Sequence, residues 1–299
     1  TYTLYGGLRA SIFTDNIQFI VFGLLLIISF SYLISLNSNE FSFEFIKQNK
    51  PNLLSFNYLP NFTAGLTFFI AVAATNLFHQ GNWQRVYAAK DSRILTSSLI
   101  YSFLIIIPIV FLMGFTGLIA TTQNSHVIPD LAFFSLLLKD NVLFLSIIII
   151  ILAISLTVSS IDTLVNAISS LIIVDGNKVI KFKGNYLKLS KQIIILISLI
   201  SFFVASQGLS ILYLFLLADL FCCAFVLTVF YSFYDKKINE NTAYISIVLG
   251  LILGFLLFPT PDFSKSLLVG VVVPTEFFPS FIVQNLLFWS FIAATLGPM

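Results

Sequence analysis

A carboxylate interrupts a long uncharged run: Asp162, in LAISLTVSSIDTLVNAISSLIIVD at residues 152–175, whose next charge is the terminal Asp175. Ser155, Ser159, Asp162, Asn166 and Ser169 recur at steps of three and four, which places them along one helix face. Ser160, Thr163 and Ser170 widen this stripe on its flank. Ile154, Val158, Ile161, Val165, Ile168 and Ile172 form another stripe, made only of β-branched apolar residues. Close packing between helices explains the small hydroxyl residues. It does not explain Asp162, since a carboxylate inside an apolar span is costly unless paired, protonated or hydrated. Hydroxyls and freed carbonyls beside such a group suit a hard cation such as sodium, which takes oxygen ligands.

Two further polar features lie in apolar surroundings. Asp219, in LLADLFCCAF, has three readings: it binds a cationic or polar solute, relays a proton, or pairs with a residue of a segment upstream of Thr1. Gly65 and the cluster Thr75, Asn76, His79, Gln80 and Gly81 suit a discontinuous helix, whose freed backbone groups meet substrate in many transporters. The plainer reading is that His79, Gln80, Asn82 and Trp83 anchor a helix end at the membrane interface.

Other chemistry is absent from the pattern. There is no Gly-rich phosphate loop, zinc-ligand spacing or nucleophile elbow, so neither an enzyme nor an organic cofactor is expected. His126, with Gln123 and Asn124, reads as a solvated loop residue. Cys222 and Cys223 are adjacent, a spacing that resists a relaxed disulfide, and read as core filler. The lysines of 178–191 suit contact with anionic lipid. They lack the interleaved aromatics of a nucleic-acid surface.

The elements that carry these residues follow from composition. Hydrophobic residues make up 58% of the 299 and charged residues only 9%, too few to keep a water-facing surface dispersed. Apolar stretches long enough to cross a bilayer predict eight helices, at 16–36, 62–83, 94–120, 143–173, 190–206, 210–234, 243–258 and 279–297. The fourth exceeds what a bilayer needs and is expected to tilt or emerge into water. With the N-terminal segment in the cytoplasm, eleven Lys and Arg fall on the inner side and four (Lys47, Lys50, Lys139 and Lys265) on the outer. The positive-inside rule selects that orientation, with both ends of the chain cytoplasmic and the protein in the plasma or inner membrane.

Three segments carry a family resemblance. Thr1 to Gln18, TYTLYGGLRASIFTDNIQ, resembles the Y-T-x-x-G-G-L-x-A-x-x-x-T-D-x-x-Q segment of the sodium:solute symporter family. Gln84 to Arg93, QRVYAAKDSR, is similar to its Q-R-x-x-A-A-K motif, and Ser159 to Asp175 to its S-T-x-D-S-x-L-x-x-x-S-S signature. The resemblance implies an all-α integral membrane protein with a five-plus-five inverted-repeat, leucine-transporter-like fold. The chain would form one transmembrane domain over residues 1–299. It would hold the last helix of the first repeat, all of the second and two C-terminal extras, without about five upstream helices. The opening at Thr1, with neither initiator Met nor signal peptide, fits that expectation.

The function so implied is sodium-coupled symport of a small polar solute by alternating access. Sodium would be bound by the hydroxyls of Ser159 and Ser160 and the carbonyl of Leu156. Asp162 would lie in the ion region without ligating, and Asp15 would influence sodium release, its alternative being a solvated helix cap. Asn76, His79, Gln80 and Asp219 are the candidate solute contacts, and the 299 residues alone are not expected to transport. A symporter-like sensor domain and the remnant of a truncated gene are the competing readings.

Overall fold

Amides in hydrocarbon have no water to bond, so a long apolar run must satisfy them within itself, as a helix. The computed structural model of the chain describes residues 3–36, 41–124, 126–139, 143–179, 184–234 and 239–298. Its helices are α1 (Thr3–Leu36), α2 (Phe43–Asn49), α3 (Leu59–Phe78), α4 (Gln80–Ala88), α5 (Ser92–Gln123), α6 (Ala132–Leu137) and α7 (Leu143–Ser170). After these come α8 (Gly176–Val179), α9 (Tyr186–Ala205), α10 (Ile211–Tyr234), α11 (Glu240–Leu257), α12 (Ser280–Val283) and α13 (Leu286–Leu296). Among the described residues, β pairing is limited to three isolated bridges between Pro259 and Val273.

Seven of the eight expected spans are helices long and apolar enough to cross a membrane: α1 over Ile12–Ser35, α3, α5, α7 with its continuation to Asp175, α9, α10 and α11. The eighth, expected at 279–297, is divided. Asn285 leaves helical geometry at φ −128° and ψ 37°, and separates α12 from the 11-residue α13. Eleven residues rise about 16 Å, roughly half of the hydrocarbon thickness.

The second expected span, 62–83, is discontinuous, but not at Gly65, which lies inside the unbroken α3. The break falls at His79, whose extended backbone (φ −74°, ψ 103°) ends α3 before α4 begins at Gln80. The fourth span runs 33 residues through a π-helical turn at Leu171–Asp175. Its far end carries an exposed Asp175–Lys178 ion pair at 3.2 Å, as a helix emerging into water requires. Lys181, Lys183, Lys236 and Lys237 of the inner-side count lie outside the described residues.

The chain divides into two compact units. The first comprises Thr1–Leu54 and Gln80–Ser206. In it α1 packs along α7, α2 and α6 pack on α5, and α4 and α9 pack on α7. Leu26, Phe30 and Leu33 of α1 share a buried apolar core with Phe115 and Ile119 of α5, Leu136 and Leu137 of α6, and Ile149 and Leu152 of α7. Asp15 of α1 meets Ser159 of α7. The two helices are therefore antiparallel, with an oily contact toward one end and a polar contact toward the other.

The second unit comprises Ser55–His79 and Gln207–Met299. There α10 packs on α3, α11 and α13 around Ala71, Ala74, Leu216, Leu220, Cys223, Phe291 and Ala294. Cys223 is fully buried, Cys222 half-buried, and both are free, consistent with core filler. Gly250 and Gly254 of α11 allow a close approach to α13. A Cβ at Gly250 would stand 2.8 Å from the Ala294 carbonyl oxygen, and one at Gly254 2.8 Å from the Ala294 Cβ. Ser290 donates across the same contact to the Gly254 carbonyl at 2.9 Å. Thus α13 lies antiparallel on α11, a small-xxx-small contact of the kind that joins helices in lipid.

Candidate functional site

The polar stripe of α7 has a defined inward side. Asp162 is buried at 4% exposure, whereas Ile154, Val158 and Ile161 of the β-branched stripe are exposed, which suits a lipid-facing edge. Ser159 is half-buried and donates its hydroxyl to Asp15 Oδ1 of α1 at 3.1 Å. The neighbouring Ser160 is exposed and turns back on its own helix, donating to the Leu156 carbonyl at 3.0 Å. Of the three nominated sodium ligands, then, Ser159 reaches a second helix while Ser160 and Leu156 engage each other.

Asp15 is not a helix cap. Because α1 starts at Thr3, Asp15 lies within the helix, three residues into its apolar stretch. Its Oδ2 accepts from Arg85 of α4 at 2.7 Å. The same Arg85 nitrogen donates to Thr163 Oγ1 at 3.1 Å, and its other terminal nitrogen donates to the Gly81 carbonyl at 3.4 Å. One residue earlier, Gln84 donates to Ser170 Oγ and accepts from Asn166 Nδ2 at 3.2 Å. Adjacent residues of α4 therefore hold the α7 stripe at Thr163, Asn166 and Ser170.

Arg85 and Gln84 were not among the expected site residues. In the sequence they form part of a cytoplasmic motif, and nothing in their spacing shows which helix they bind. The signal available was Arg85's place four residues beyond the helix-breaking cluster that ends at Gly81, where a long side chain reaches back over the preceding elements.

Each solute candidate has a definite environment. Asn76 is exposed and donates to the Val72 carbonyl of its own helix at 2.8 Å. His79 is the half-buried C-cap of α3, and its Nδ1 is buried without a hydrogen-bond partner. Gln80, the half-buried first residue of α4, belongs to the other unit. Asp219 is 7% exposed on α10 and accepts a hydrogen bond from Thr75 of α3. The polar contact between α3 and α10 thus pairs Thr75 with Asp219. Burying this carboxylate in an apolar core is costly without a partner, and the Thr75 hydroxyl supplies one.

Among the described residues, no cluster of three or more His, Cys, Asp or Glu could hold a metal ion. Each unit thus holds its own set of hydroxyl and carboxylate oxygens between apolar helices.

Residues 1–250 match the model of the sodium:solute symporter family. The chain belongs to that family. All three motif segments and both buried carboxylates lie within the match, while α13 lies beyond it. The chain is similar to the spermidine transporter DUR31 of Candida albicans, at 28% identity over 241 residues. That alignment covers 78% of this chain and 44% of the relative, so the chain spans less than half of the relative's length. No solved structure matches it. Membership of this family and seven membrane-length apolar helices make the protein a multi-pass membrane protein.

Proposed function

We propose that the protein couples inward sodium flow to uptake of a small polar solute by alternating access, without covalent chemistry. The observation that carries this reading is the Ser159–Asp15 contact at 3.1 Å, beside the buried Asp162, between two membrane-length helices. A hydroxyl that gives its proton to a carboxylate keeps its lone pairs for a cation. Ser159 is the central ligand, Ser160 and the Leu156 carbonyl supply neighbouring oxygens, Asp162 sets the local field, and Asp15 orients Ser159. The N-terminal segment lies in the cytoplasm and the protein in the plasma or inner membrane, on the distribution of basic residues.

The solute carries a positive charge in this reading. Asp219 offers a buried carboxylate, and one relative is named for spermidine, a polyamine. Thr75 orients that carboxylate by its hydrogen bond. His79 at the α3 break and the nearby Asn76 are secondary contacts.

The test is initial uptake by the full-length protein of a panel of polyamines, amino acids, sugars and urea, with and without sodium. Sodium-dependent uptake of a cationic member is expected. Combining Ser159→Ala with Ser160→Ala should raise the half-saturating sodium concentration, and Asp219→Asn should raise KM for the cation. Uptake indifferent to sodium, in the parent and in the double variant alike, removes the coupling assignment.

A further inference from the structure

Asp15 is shared between a permanent cation and a hydroxyl. Its Oδ2 receives Arg85 at 2.7 Å, and its Oδ1 receives Ser159 at 3.1 Å. Guanidinium does not deprotonate in proteins, so Arg85 holds a full positive charge at the carboxylate that orients the proposed ion ligand. We infer that Arg85 is a built-in competitor of the coupling cation: it neutralises Asp15 when the ion is absent and yields the carboxylate's field to the ion when one binds at Ser159. This rests on the reading of Ser159 as an ion ligand.

Three observations support it. First, Arg85 has other hydrogen-bond acceptors when it leaves Asp15, because Thr163 and the Gly81 carbonyl already accept from it at 3.1 and 3.4 Å. Second, α4 stays in place without the ion pair, since Gln84 separately joins it to Asn166 and Ser170. Third, the Arg85 side chain is 41% exposed and that of Asp15 22%, so the pair is partly hydrated and breaks at modest cost. Pairs this exposed contribute about 0.2–1 kcal/mol. Removing the competitor should then tighten apparent sodium affinity by roughly 1.4- to 5-fold.

Arg85 is a positioning residue, and its effect is read in the sodium dependence of uptake. In the full-length protein, Arg85→Gln should lower the half-saturating sodium concentration about 1.4- to 5-fold, whereas Arg85→Lys, which keeps the charge, should stay near the parent. A merely structural role would reduce maximal rate or membrane abundance in both variants and leave the half-saturating concentration fixed. Asp15→Asn gives an independent arm: it should raise the half-saturating concentration, and adding Arg85→Gln should then shift it no further. An unchanged or raised value in Arg85→Gln, with uptake still sodium-dependent, overturns the inference alone. So does an Asp15→Asn variant with the parent's sodium dependence. If the parent's own uptake ignores sodium, the functional reading falls and the inference with it.

Discussion

Ser159 and Ser160 are chain neighbours with different partners, and that difference is measurable. Ser159 donates across to Asp15, while Ser160 satisfies itself on the Leu156 carbonyl. Ser159→Ala alone should therefore account for most of any loss in sodium affinity, about five- to thirty-fold if a ligand contributes on the order of 1–2 kcal/mol. Ser160→Ala should shift the sodium titration less than Ser159→Ala does, because its hydroxyl is already committed to the Leu156 carbonyl of its own helix. Equal shifts in the two single variants would mean that Ser160 leaves its own helix when the ion binds. The inward aim of Ser159 and Asp162 was legible in the sequence, because three- and four-residue steps fix a helix face. Arg85 was not, since a basic residue near a helix end reads as an interfacial anchor until a partner from another segment is known. Asn76 and Thr75 show the same limit. Both belong to one polar cluster, yet only the structure separates the one turned onto its own helix from the one turned onto Asp219.

The elements were readable wherever hydropathy alone decides. Seven helices stand where long apolar runs predicted them, because lipid leaves the backbone no other way to satisfy its amides. Breaks depend on local backbone rather than on mean apolarity, and they were legible only in part. His79, in the cluster expected to interrupt the second span, ended α3, whereas Gly65 passed unbroken and Asn285 divided a last segment expected to be continuous. Gly250 and Gly254 stand four apart in α11, a spacing visible in the sequence whose partner α13 was not. A methyl at Gly250 would meet the Ala294 carbonyl oxygen, which is backbone and cannot rotate away. Gly250→Ala should therefore destabilise the protein by about 1–3 kcal/mol, as overpacking does. The measurement is the thermal midpoint in detergent. Gly65→Ala is the control: nothing lies within 4 Å of its added Cβ, and its midpoint should hold or rise. Equal loss in both variants would point to glycine's backbone freedom rather than to the α11–α13 contact.

For the molecule as a whole, the charge pattern makes a claim about sidedness. With the N-terminal segment inside, Lys90 after α4 faces the cytoplasm and Ser264, in the loop after α11, faces outward. In a background with Cys222 and Cys223 replaced, a membrane-impermeant maleimide should label Ser264→Cys on intact cells and Lys90→Cys only after permeabilisation; the reverse pattern would invert the topology. The two carboxylate contacts also differ in the order in which their members are made. Asp15 precedes Arg85 by 70 residues and Ser159 by 144, whereas Asp219 follows Thr75 by 144. At about 5–20 residues per second, Asp15 waits roughly 7–29 s for Ser159 to leave the ribosome. Its seat near the end of the apolar stretch lets water solvate it meanwhile. Asp219, nine residues into the 24-residue α10, has no such recourse, and its hydroxyl partner has already been synthesised when it enters the bilayer.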